Sequence, residues 1–153
     1  YDPIVLNDAL PIWQYTDFLS AGVRSSQTLS PELVSEKNHC IKMKGNQTVK
    51  VAVTNMGKVA KELLADHNLT ADDIALVVPH QANKRIIDAV GKNVGVPPEK
   101  VFINVQKYGN TSAATIPIAL YEAEAEGRIT QGDLILLVAF GCGFTWGATL
   151  IRW

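Results

Sequence analysis

The sequence predicts an α/β fold, and three observations carry that prediction. Short uninterrupted apolar runs alternate with longer segments whose apolar residues recur every three or four positions. The helix-bearing connections favour parallel strand pairing, whereas the tight turn at Gly141-Cys142-Gly143 favours an antiparallel hairpin. With 153 residues, the chain has the size of one domain and can bury roughly two thirds of its unfolded surface. The expected architecture is a mixed, mostly parallel sheet with helices packed on it.

Residues 1–45 read as an irregular lead-in and insertion, with Trp13, Tyr15 and Phe18 as satellite core residues. Within it, Ser30-Pro31-Glu32 predicts a helix start: serine caps free amides, proline suits the first helical position, and glutamate suits the positive end. Residues 46–153 read as the domain proper. A helix is predicted over Thr48 to His67, its stripe being Val49, Val53, Met56, Ala60, Leu63 and Leu64. Ile74 to Val78 predicts a buried strand stopped by Pro79. The next helix spans Ala82 to Val94 on Ile86, Ile87, Val90 and Val94. Val101 to Val105 predicts another strand, and Thr111 or Ser112 is expected to cap a helix running to Glu126, with Pro117 bending its first turns. Gly127 stops that helix. Leu134 to Phe140 predicts a buried strand, and Phe144 to Trp153 returns beside it.

Charge is balanced, 14 basic against 15 acidic residues, so the molecule as a whole predicts no partner. Locally, Lys37 to Lys61 holds six lysines and no acidic residue. That run reads either as a solvated face or as a patch for an anionic partner. No nucleic-acid motif accompanies it, and nucleic acid is not an expected partner. Cys40 and Cys142 form no CxxC pair, so neither a disulfide scaffold nor a metal site is expected. No signal-peptide pattern is visible and the longest apolar run is too short to span a bilayer, so no membrane association and a cytoplasmic location are expected. The first residue is Tyr1 rather than methionine, which gives the expectation of further sequence upstream.

Polar residues collect at three predicted strand ends: Pro79-His80-Gln81-Ala82-Asn83, Tyr108-Gly109-Asn110-Thr111-Ser112 and Phe140-Gly141-Cys142-Gly143-Phe144. Ligands of open α/β sheets bind outside the carboxyl ends of strands, which gives the three a reason to converge. Individually each has a plain structural reading: a hydrogen-bonded histidine, a turn asparagine and a hairpin.

Their wording resembles one family. Val78-Pro79-His80-Gln81-Ala82-Asn83-Lys84-Arg85-Ile86-Ile87 is similar to the histidine motif of β-ketoacyl-acyl-carrier-protein synthase III. Gly109-Asn110-Thr111-Ser112-Ala113-Ala114 resembles that family's asparagine motif, and Ala139-Phe140-Gly141-Cys142-Gly143-Phe144-Thr145-Trp146-Gly147 its glycine-rich closing hairpin. The likeness runs from about Gly45 to Trp153, in the family's order. It implies a thiolase-like fold of two similar halves, of which residues 46–153 are the C-terminal one, and a dimer of the complete enzyme.

The resemblance also implies the chemistry. A cysteine in an N-terminal half takes an acyl group from acyl-coenzyme A; malonyl-acyl carrier protein loses carbon dioxide, and its carbanion attacks the acyl thioester. Neither Cys40 nor Cys142 matches that cysteine. His80 and Asn110 match the donors that stabilise the enolate oxygen. The backbone amide of Cys142, at a position commonly glycine in relatives, matches an oxyanion-hole donor for the acyl carbonyl. Phe140 lines the pocket, Ala82 and Asn83 approach the pantetheine arm, and Arg85, Lys50 and Lys92 match the basic face for acyl carrier protein or coenzyme A. Coenzyme A thioesters enter as substrates, and no cofactor is expected. The alternative expectation is a non-catalytic structural or carrier-protein-binding module of the same fold.

Overall fold

The computed structural model describes residues 4–6, 18–21, 28, 30–37, 39–141 and 143–153. Trp13, Tyr15 and Cys142, named above, lie outside the described residues. In chain order the elements are β1 (Ile4–Leu6), β2 (Leu19–Ala21), α1 (Pro31–Ser35), β3 (Ile41–Met43), α2 (Gly45–Asp66), β4 (Leu76–Pro79), α3 (Lys84–Val94), α4 (Val105–Tyr108), α5 (Thr115–Ala125), β5 (Leu134–Gly141) and β6 (Thr145–Arg152).

Four strands form one sheet in the order β1-β6-β5-β4, while β2 and β3 pair separately. Among the described residues, parallel pairing is confined to β4 with β5 and to one bridge between Val77 and Val101. β5 and β6 pair antiparallel from Leu134↔Arg152 to Gly141↔Thr145, so the tight hairpin forms as expected. β1 adds the antiparallel edge beyond β6, with Ile4 opposite Leu150.

Both faces of the central strands are covered, which is why β4 and β5 read as unbroken apolar runs rather than alternating ones. Val77, Leu136 and Val138 join Met56, Val59, Ala60, Leu63, Ile87, Val90 and Val94 in one cluster built on α2 and α3. Their neighbours Leu76, Val78 and Ile135 point the other way, onto Ala119 and Ala123 of α5 together with Phe102 and Ile129. Side chains alternate across a strand, so a single strand serves two cores. The result is a three-layer α/β/α arrangement.

Local signals explain most boundaries. The Ser30 hydroxyl accepts from the Leu33 amide at 3.3 Å, with Pro31 opening α1. Asn83 caps α3 by accepting from the Arg85 amide at 2.9 Å, and Gly95 ends it in the left-handed conformation, φ 96°. Within α3, Gly91 is required by space: a Cβ there would stand 2.5 Å from Cγ2 of Val101.

Three expectations change. α2 starts at Gly45 rather than Thr48, because the Thr48 hydroxyl bonds back to the Lys44 carbonyl at 3.0 Å instead of capping. The strand over Val101 to Val105 reduces to the single Val101 bridge. Past it, the Gln81 side chain takes the Asn104 amide and the Asn104 carbonyl accepts from Lys107, turning the chain into α4. Neither Thr111 nor Ser112 caps α5: Ser112 has φ 54° and opens a 3₁₀ turn through Ala114, and α5 begins at Thr115. Pro117 therefore stands in the first helical turn, where its missing amide removes no helical bond.

Candidate active site

The parallel register brings two of the three polar clusters side by side. Pro79 lies opposite Val138, and the His80 amide donates to the Val138 carbonyl at 2.8 Å. His80 therefore leaves the end of β4 beside the segment Ala139–Phe140–Gly141 that ends β5. Phe140 is partly buried, and its ring centroid lies 4.7 Å from that of buried Phe144. Phe18 reaches the same ring from the lead-in, at 6.3 Å.

The third cluster joins through the start of α5. Nδ1 of His80 lies 2.6 Å from the hydroxyl oxygen of Thr115. That hydroxyl is also 3.0 Å from the Ser112 carbonyl. The Ser112 amide in turn donates to Oδ1 of Asn110 at 3.0 Å. A continuous polar path thus runs from the histidine to the asparagine. Oδ1 is the part of the Asn110 side chain that this path uses, which leaves its NH₂ group uncommitted among the described residues. Burial lowers the His80 pKa below its ordinary 6.5, so the ring is neutral at neutral pH.

Behind this path lies a second network that the sequence did not disclose. Gln81, 1 % exposed, donates to the carbonyls of Pro79 (2.8 Å) and Phe102 (3.2 Å) and accepts from the Asn104 amide (2.9 Å). The Asn104 side chain donates to Oε2 of Glu122 on α5 at 2.9 Å, and Lys107 and Tyr108 donate to Oε1. One buried amide and one carboxylate thereby clamp the histidine loop, the approach to Asn110 and α5 together. Lys107, first, then Tyr108 and Asn104 hold the Glu122 pKa down to about 2 from its ordinary 4.5.

The folded-state value is the lower one, so this network's contribution is complete above pH 4.5 and is lost as pH falls towards about 2. Acid unfolding followed by circular dichroism is expected to steepen in that window, and Glu122→Gln to flatten it. An unchanged profile in the variant would show that the carboxylate does not bind the loops together.

The remaining candidates divide. Asn83 spends its side-chain carbonyl on capping α3, and half-buried Ala82 precedes it. Lys50, Arg85 and Lys92 are exposed and make no ion pair among the described residues. Arg85 and Lys92 are seven residues apart, which puts them on one face of α3. Lys92 occupies the last turn, where a cation suits the helix dipole. Arg85 occupies the first turn, where a cation opposes it, so helix stability does not account for Arg85. The oxyanion-hole position assigned to Cys142 lies outside the described residues. No group of three or more potential metal ligands occurs among the described residues. A cleft of 610 Å³ lined by Glu124, Ile129, Thr130, Gln131, Arg152 and Trp153 lies at the opposite end of β5 and β6 and includes none of the predicted site residues.

The family model 3-oxoacyl-[acyl-carrier-protein (ACP)] synthase III C terminal matches residues 64–153, more than half of the chain. The chain belongs to this family. As a synthase III C-terminal domain it is 47 % identical over 138 residues to the beta-ketoacyl-[acyl-carrier-protein] synthase III of Aquifex aeolicus, a match covering 90 % of this chain and 45 % of that protein. To the synonymous protein of Chlorobium chlorochromatii it is 49 % identical over 135 residues, covering 88 % and 41 %. The solved synthase III structures of Aquifex aeolicus and Thermus thermophilus superpose with TM-scores of 0.79 and 0.80 at 42 % and 41 % identity. Each covers 99 % of this chain, which spans 43 % and 45 % of those chains. This synthase III domain thus spans less than half the length of these relatives. Its α/β architecture is the thiolase-like one of condensing enzymes. No helix among the described residues is long and apolar enough to cross a membrane.

Proposed function

We propose that this chain is the C-terminal part of a decarboxylating condensing enzyme that joins an acyl-coenzyme A primer to malonyl-acyl carrier protein. An N-terminal half supplies the nucleophilic cysteine, and the complete enzyme is a cytoplasmic dimer. The cysteine thiolate displaces coenzyme A and holds the acyl group as a thioester. The malonyl carboxylate then leaves as carbon dioxide, and its bonding electrons pass into an enolate whose oxygen carries the charge. The enolate carbon attacks the acyl carbonyl and the cysteine sulfur departs, leaving a 3-oxoacyl-acyl carrier protein.

Within this scheme His80 and Asn110 donate to the enolate oxygen. Neither needs a formal charge: a neutral imidazole carrying hydrogen on the substrate-facing nitrogen suffices, as does the free NH₂ group of Asn110. The backbone amide of Cys142 donates to the acyl carbonyl, Phe140 lines the pocket, and Ala82 and Asn83 border the pantetheine arm. Arg85, Lys50 and Lys92 meet the phosphates or acidic residues of the incoming partner, Arg85 having the clearest case. The division into a lead-in over residues 1–45 and a domain over 46–153 belongs to the same proposal, with β1 reaching across to the sheet edge.

The observation that carries the proposal is the polar path Asn110–Ser112–Thr115–His80, which ties both donors to one strand end. The test is covalent loading. Incubated alone with acyl-coenzyme A, the chain is expected to gain no acyl mass; mixed with a cysteine-bearing N-terminal half, that half is expected to gain one acyl group. Stoichiometric acylation of Cys40 or Cys142, read by intact and peptide mass spectrometry, would refute the division of labour.

A further inference from the structure

Glu122 is the one acid buried among the described residues, and its carboxylate accepts from three side chains that all lie within 104–108. Nδ2 of Asn104 donates to Oε2 at 2.9 Å, while Lys107 and Tyr108 converge on Oε1. Stability gives little reason for a charge in the middle of α5, because a well-packed apolar side chain of similar volume serves about as well without being desolvated. Position gives a better one. α4 is a single turn with no buried residue and no side-chain cap, too short to hold its shape unaided. The carboxylate pins its side chains to α5.

Asn110 stands two residues beyond that turn. Gly109 leaves α4 with φ 70° and ψ −162°, a conformation open to glycine alone, and delivers the chain to Asn110. On the far side, Oδ1 of Asn110 accepts from the Ser112 amide, and the Ser112 carbonyl accepts from the Thr115 hydroxyl. Thr115 and Glu122 are two helical turns apart, so they lie on one face of α5, about 10 Å along its axis. The loop carrying Asn110 is thereby held at both ends by a single helix. We propose that Glu122 is a positioning residue: by gathering Asn104, Lys107 and Tyr108 onto one carboxylate, it fixes α4 against α5 and so sets where the Asn110 side chain stands. The catalytic consequence rests on the reading of Asn110 as an enolate donor; the placement of the loop does not.

The experiment uses the chain assembled with its cysteine-bearing half, at neutral pH. Glu122→Gln keeps the shape but loses the charge and one of the two accepting oxygens. It is expected to lower kcat for malonyl decarboxylation by about 10- to 100-fold, the effect of a displaced group, with KM within about twofold and acyl loading unchanged. Lys107 is exposed, so Lys107→Met loosens the same grip without disturbing the core; a smaller loss of kcat is expected there, and Lys107→Arg is expected to recover most of it. In an Asn110→Ala enzyme, Glu122→Gln is expected to add nothing, since it acts through a side chain already gone. A wild-type kcat in Glu122→Gln, a loss falling on KM alone, or a full further loss in the Asn110→Ala background overturns the proposal. Where Glu122→Gln does not fold, Lys107→Met decides by the same readings. If Asn110→Ala itself keeps the wild-type rate, the enolate-donor reading falls, and nuclear magnetic resonance judges the loop. The side-chain amide signals of Asn110, identified by their absence from Asn110→Ala, are then expected to shift in Glu122→Gln, and their constancy overturns the proposal.

Discussion

In the assembled enzyme, His80→Ala is expected to slow malonyl decarboxylation by about 10²- to 10³-fold, the usual effect of removing one oxyanion donor. Asn110→Ala is expected to act with similar size, and acyl loading from coenzyme A to change little in either. The asymmetry tests the proposed roles, under which the two half-reactions place negative charge on different oxygens, the malonyl one met by His80 and Asn110 and the acyl one by backbone amides. The double variant should lose less than the product of the single losses, since donors sharing one oxygen act as a unit. Separate assays of carbon dioxide release and cysteine acylation decide the matter. Equal loss of both half-reactions would mark the substitutions as structural damage.

The second large effect belongs to a buried residue outside the polar path from His80 to Asn110. Gln81→Leu fills nearly the same space but strips three hydrogen bonds from a site that is 1 % exposed. The Asn104 amide and the carbonyls of Pro79 and Phe102 lose their partner, and a buried unpaired polar group costs about 1–3 kcal/mol. A total near 3 kcal/mol is therefore expected, read as a lowered urea midpoint. The loss should be uneven: amide exchange is expected to accelerate over residues 104–112 before it does in α2, because Gln81 holds the former and has no bond to the latter. Adding Asn104→Ala should cost less than it does alone, since the two side chains belong to one chain of bonds. A Gln81→Leu protein with wild-type stability would mean that solvent replaces these bonds.

How far the sequence could be read depended on the range of the forces involved. α2, α3, β4, β5 and β6 are written locally in apolar spacing, as the start of α1 is in Ser30-Pro31, and the structure places each of the five within a few residues of its predicted span. Val101 to Val105 has strand composition, and the reason it turns after Val101 lies on Gln81, far away in sequence. Thr111 and Ser112 look like caps, but Asn110 engages the Ser112 amide first, which shifts the start of α5 to Thr115. In the candidate site, His80 and Asn110 stand out in the sequence because motifs are strings. Thr115, Gln81 and Glu122 do not, because their roles are contacts across 14 to 35 residues of separation.

The pairing of β1 with β6 sets Ile4 opposite Leu150, so the sheet is completed by joining segments from the two extremes of the sequence. The β5–β6 hairpin is local and cheap to close, but the outer strand must find its place across nearly the whole length, at an entropic cost that grows with the logarithm of that span. Order of assembly follows from this. The helices and inner strands are expected to gather first and the outermost strand to dock last, on a platform that must already exist to receive it.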